Sequence, residues 1–157
     1  MIVTYGKGFE PVATMRQKVD RLESALMDLP QVDCPVRHHF APGIYAREMT
    51  IPAGTVVTGA VHKTDNLVVV SMGRLKIVTP DGTREVAAGE TLLCKAGMKN
   101  AVYALEDSRW TNILANPDNE TDTDILVEKY VEAKASQLLG GLDNKQLLQA
   151  QERKDLL

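Results

Sequence analysis

Few side chains in this sequence could do chemistry. Imidazoles occur only at His38, His39 and His62, and an imidazole serves as a metal ligand, a proton carrier or a hydrogen-bonded interior group. Cys34 and Cys94 stand sixty positions apart without CxxC or zinc-like spacing, which argues against a disulfide framework and a structural zinc site. Ser71 and Ser108 lack a GxSxG setting and there is no glycine-rich phosphate loop, so the hydrolase and nucleotidase motifs fail. Arg47 and Glu48 are adjacent on one predicted strand and must face opposite sides. Whichever points inward is a candidate anchor, the ordinary alternative being a solvated face or a cross-strand ion pair. Lys63, Lys95 and Lys99 are candidates for an anionic ligand, with plain surface solubility as the bland reading. Tyr103 and Trp110 suit core or rim packing, or a platform on which a sugar or base could stack.

The elements that must position these residues fall into three blocks. In an N-terminal segment, 1–33, Val12, Met15, Val19, Leu22, Leu26 and Leu29 recur in steps of three and four and predict one helix with a narrow apolar stripe. Pro11 suits its first turn and Pro30 stops it. The stripe is too short for an isolated coiled coil, so it packs on the body of the protein or zips to a second copy. From 34 to 116, β-branched residues rise and turn signals such as Pro42-Gly43, Pro80-Asp81-Gly82 and Ala96-Gly97 recur. They predict strands near 36–40, 43–51, 55–61, 66–72, 74–79, 83–87, 90–94, 101–105 and 109–115. Eight or nine short antiparallel strands with no helix between them mean a small barrel or jelly roll. The third block, 117–157, begins with a polar acidic loop suited to capping. Helical spacing follows through Val127, Val131, Ala135 and Leu138, with Tyr130 beside it, and then a weakly amphipathic segment from Asp143 to Leu157.

The chain has 157 residues, 44% hydrophobic and 25% charged, with formal net charge -3, the composition of an ordinary soluble globule. A domain of this length buries roughly 70% of its unfolded surface, enough for a real core. Neither the charge nor the acidic C-terminal block suits nucleic acid or an anionic membrane. No apolar run approaches the ~20 residues that span a bilayer, and the N-terminus has no signal-peptide order, so a reducing cytoplasm is expected.

The stretch Gly54-Thr-Val-Val-Thr-Gly-Ala-Val-His-Lys-Thr-Asp-Asn-Leu-Val-Val-Val-Ser-Met-Gly73 resembles the first signature of the cupin superfamily, a glycine followed by His-x-His, an acidic residue and a second glycine. Ala60 stands at the first histidine position, His62 at the second and Asn66 at the acidic one. Gly89-Glu-Thr-Leu-Leu-Cys-Lys-Ala-Gly-Met-Lys-Asn-Ala-Val-Tyr-Ala104 resembles the second signature, with Lys95 in place of proline and Asn100 in place of the third histidine. The resemblance implies a mainly β fold: one cupin-type antiparallel jelly-roll barrel flanked by an N-terminal amphipathic helix and C-terminal helices. His38 to Gly54, His62-Lys-Thr and Tyr103 to Trp110 further resemble small cupin-like proteins of tailed bacteriophages and prophages.

A cupin enzyme holds its divalent ion with three imidazoles and a carboxylate. Ala60, His62, Asn66 and Asn100 supply one imidazole and two neutral amides, so no metal cofactor is expected unless His38 and His39 join His62. His62 is then an interior residue bonded to Asn66 or Asn100, or a ligand-contacting one. The resemblance implies a non-catalytic module acting in a virion or accessory assembly through homo-oligomer contacts, or contacts to other phage structural proteins, in the host cytoplasm or the virion. The alternatives are a sugar or nucleotide binder using His62, Asn66, Asn100, Tyr103 and Trp110, and a metal-dependent enzyme with an atypical site.

Overall fold

The computed structural model describes residues 12–79 and 82–132. Nine strands follow an N-terminal helix, α1 (Val12–Met27): β1 (Val36–Ala41), β2 (Gly43–Ile51), β3 (Val56–Thr58), β4 (Asn66–Met72), β5 (Arg74–Thr79), β6 (Gly82–Ala87), β7 (Thr91–Cys94), β8 (Ala101–Ala104) and β9 (Ser108–Asn116). A second helix, α2 (Thr123–Tyr130), closes the described chain. The strands form two antiparallel sheets, ordered β1-β2-β9-β4-β7 and β3-β8-β5-β6. Because the chain crosses between sheets repeatedly, the two faces enclose one interior, a jelly-roll barrel. The sequence expectation holds for nine strands. β3 is shorter than the predicted 55–61, because beyond Thr58 the chain turns off the sheet towards His62.

Local chemistry explains the turns. Pro42-Gly43 joins β1 to β2, with Gly43 at φ 76°, the left-handed conformation a type II turn needs at its second central residue. Gly73, at φ 81°, carries the chain from one sheet to the other where a Cβ would come within 2.3 Å of the Asp107 carbonyl oxygen and the Ser108 Oγ. No other residue fits there.

The interior is packed at one end and covered at the other. Ile51, Val70, Leu75, Val86, Val102 and Ala104 make an aliphatic plug. At the opposite end Tyr45 and Leu114 meet Leu126 and Tyr130 of α2. Asp122 caps α2 by accepting from the backbone N–H groups of Asp124 (2.9 Å) and Ile125 (3.3 Å). The Tyr130 hydroxyl donates to the Ala115 carbonyl (2.5 Å) and ties the helix to β9.

Two helical expectations are corrected. The helix predicted to continue through Val131 ends at Tyr130. Val131 is extended (φ −119°, ψ 140°) and pairs with His62 in an isolated antiparallel bridge, flanked by bonds from Lys63 N–H to the Tyr130 carbonyl and from Glu132 N–H to the Val61 carbonyl. Pairing with the 61–63 segment outweighs the helical spacing; Ala135, Leu138 and the segment from Asp143 lie outside the described residues. On α1, Met15 and Val19 are buried, Leu22 and Leu26 only partly, and Leu29 lies past the helix end, 57% exposed; the Val12 side chain is not described. The helix packs on the body through its first half. Nearby, Glu23 is buried as well, gripping Lys99.

Candidate functional site

Strand alternation decides what enters the barrel. On β2 the inward parity is Tyr45, Arg47, Met49 and Ile51; on β9 it is Trp110, Asn112 and Leu114, and all seven line one interior cavity of about 150 Å³. The facing wall brings Val57, Thr58, His62, Asn100 and Val102, and α2 contributes Leu126, Val127 and Tyr130. Across the sheet, cross-strand register places His38 opposite Arg47 and Arg47 opposite Asn112, a polar belt on three neighbouring strands. The adjoining row, Val36, Met49, Trp110 and Val70, is apolar. A second hollow of about 290 Å³ shares Cys94, Asn100 and Trp110 with the first.

The Arg47–Glu48 ambiguity resolves by the same parity. Glu48 faces outward, where Arg37 (2.6 Å), His39 (2.9 Å) and Arg109 (3.2 Å) surround it, and the Arg37 hydrogen bond, with help from His39 and Arg109, holds its carboxyl below the usual range. Arg47 faces inward and has no hydrogen bond or ion pair among the described residues. Burial lowers its pKa, yet a guanidinium stays protonated at any ordinary pH. No aspartate or glutamate lines the cavity among the described residues.

His62 is largely buried and its Nδ1 has no hydrogen-bond partner among the described residues. Burial first, and the Arg47 charge second, push its pKa down to about 4, so it is neutral at pH 7. The expected bond from His62 to Asn66 or Asn100 is absent. Instead the Trp110 indole N–H donates to Asn112 Oδ1 (3.1 Å) and Asn112 Nδ2 donates to Asn66 Oδ1 (2.9 Å). An indole N–H can only donate, so it fixes the direction of the relay and leaves Asn66 Nδ2 as a buried donor without a hydrogen-bond partner among the described residues. Asn100 Nδ2 donates to Cys94 Sγ (3.6 Å), and burial pushes that thiol up.

These geometries correct several sequence expectations. Tyr103 is not in the interior: it pairs with Val56 and Lys76 on the outer face of its sheet and is 40% exposed. Asn66 reaches the cavity only through Asn112. His38, hydrogen-bonded to the Tyr45 hydroxyl (2.7 Å), and His39, bonded to Glu48, lie on opposite faces of β1, so the two cannot converge on His62. Lys99 is buried between Asp20 (2.6 Å) and Glu23 (2.9 Å) and is not free for an anion, whereas Lys63 stays exposed and donates to the Glu128 carbonyl (3.0 Å). Tyr45, Asn112 and the α2 residues are cavity residues the sequence reading did not select.

The metal that the cupin resemblance would imply does not fit these residues. Ala60 has no donor atom, Asn66 Oδ1 is occupied by Asn112, and Asn100 is turned towards Cys94. No cluster of three metal-binding side chains occurs among the described residues.

No family model matches the chain, and no curated protein is detectably similar to it. Among solved structures, a conserved protein of unknown function from Streptococcus pyogenes is similar at 21% identity and TM-score 0.45, covering 56% of this chain and 78% of that one. A cupin superfamily protein from Desulfitobacterium hafniense is similar at 13% identity and TM-score 0.47, covering 59% and 85%. KdgF from Halomonas sp. is similar at 16% identity and TM-score 0.48, covering 60% and 87%. At these identities and scores no ligand or activity passes from those proteins to this chain.

Proposed function

We propose that the protein binds a small organic molecule inside the barrel, with no metal as mediator. The observation that carries this reading is the cavity of about 150 Å³ between the aliphatic plug and α2, where a fully packed core would otherwise be. A dry cavity of about this size accommodates a benzene ring, and apolar walls with a few convergent polar groups are the usual composition of a ligand site. Trp110 is the sole tryptophan and lines the cavity, so its fluorescence reports occupancy directly. In a panel of neutral, cationic and anionic compounds of about six to ten heavy atoms, at least one is expected to give a saturable change in that fluorescence with a midpoint below about 1 mM. It should also raise the melting temperature. A panel without a saturable response would remove the reading.

The resemblance to phage proteins, and the virion role that follows from it, gain no support from the similar structures. An assembly role through contacts between copies is a second reading favoured by one observation. Leu93, Leu67, Ile113 and Ala46 lie in register across the outer face of the five-stranded sheet, with Ile44 in the next row, and Ile44, Leu67 and Leu93 are exposed. A second copy of this chain would cover that row, and monomer mass in light scattering at micromolar concentration would end this alternative.

A further inference from the structure

The geometry points to the charge of the ligand: we propose that Arg47 holds the carboxylate of a small monoanion whose apolar body fills the barrel cavity. This inference rests on the cavity reading above and adds the class of molecule. Three observations carry it. Arg47 is the one charged residue among the described residues lining the cavity, and none of the described residues forms a hydrogen bond or ion pair with it. The carboxylate next to it in sequence, Glu48, is committed to Arg37, His39 and Arg109 on the other face of the same strand. The walls beside Arg47 are Met49, Leu114 and Trp110, with the amide of Asn112 next to it in register.

A cation held in such surroundings without a counter-charge is unfavourable, and a guanidinium cannot escape by losing its proton. Water can solvate it in the absence of ligand, and a carboxylate answers it better, because the planar fork donates two parallel hydrogen bonds to two oxygens. Charge balance selects within the anions. One cation beside a neutral imidazole matches one negative charge, whereas a phosphate dianion would leave a buried charge uncompensated. His62, whose Nδ1 has no hydrogen-bond partner among the described residues, lines the same cavity and offers a further polar contact.

The test uses the full chain, sodium hexanoate, its neutral counterpart hexanamide, and inorganic phosphate, all followed by Trp110 fluorescence. Hexanoate is expected to bind at least about tenfold more tightly than hexanamide, the difference a charge-assisted pair supplies, and more tightly than phosphate. Arg47→Met should abolish that preference while hexanamide binding persists, and Arg47→Lys should keep part of it. Hexanamide binding as tightly as hexanoate overturns the carboxylate assignment and leaves the cavity reading standing. Phosphate binding more tightly than hexanoate overturns the monoanion. Silence from both six-carbon probes overturns this inference, whereas a response to other compounds of the wider panel would still sustain the cavity reading. Should Arg47→Met fail to fold, the hexanoate-to-hexanamide ratio of the natural protein and of Arg47→Lys decides.

Discussion

His62 sits where a proton is unwelcome, because burial and the Arg47 charge both oppose a second positive charge and hold its pKa at about 4. The imidazole of an unfolded chain titrates near 6.5, so on acidification the unfolded state takes up the proton first, and stability falls as pH drops from about 6.5 towards 4. From this residue alone the loss is about 2 kcal/mol between pH 7 and pH 5, and urea melts at the two pH values should show it. In His62→Gln that share of the slope should vanish; an unchanged slope would mean that the imidazole is not desolvated as described. The sequence exposed His62 through its motif setting but not that Asn66 would be taken by another group, since the directed relay from Trp110 through Asn112 to Asn66 depends on the fold. Arg47 was half legible. Tyr45, Met49 and Ile51 share its parity and are apolar, so an arginine among them was already the anomaly to notice, and Asn112 between Trp110 and Leu114 was another.

Among the elements, the strands were the most legible, because turn chemistry and alternation are local and each left its mark at Pro42-Gly43 or Gly73. Gly73→Ala should cost about 2 kcal/mol or more, since the added methyl must enter the space of the Asp107 carbonyl and Ser108 while the backbone stays left-handed. A chemical-denaturation midpoint close to that of the natural protein would show that the two sheets can separate there without loss. The ends of helices were less legible. Nothing local in Val127 to Val131 says that residue 131 leaves α2 to pair with residue 62; that choice comes from the 61–63 segment, far away in sequence. The same holds for α1. A continuous apolar stripe was readable, yet the helix docks through Met15 and Val19 together with charged side chains, which a hydrophobic pattern cannot announce.

For the molecule as a whole, the joint between helix and barrel is the ion pair of Lys99 with Glu23, both nearly inaccessible to solvent, which Asp20 supplements from the turn before. Lys99→Met should cost about 3 kcal/mol by leaving a buried carboxylate without its cation. Adding Glu23→Leu should restore most of that loss, and calorimetry of the single and double variants would separate the two effects. A double variant as unstable as the single one would contradict the account. The polar belt of His38, Arg47 and Asn112 has a consequence for redesign. Within it, Arg47 alone lines the cavity without a hydrogen bond to another described residue, whereas Asn112 and His38 are tied to Trp110, Asn66 and Tyr45, so the position that chooses a guest is apart from those that hold the barrel together. A library confined to residue 47 could therefore retune selectivity while leaving the thermal tolerance of the scaffold nearly unchanged.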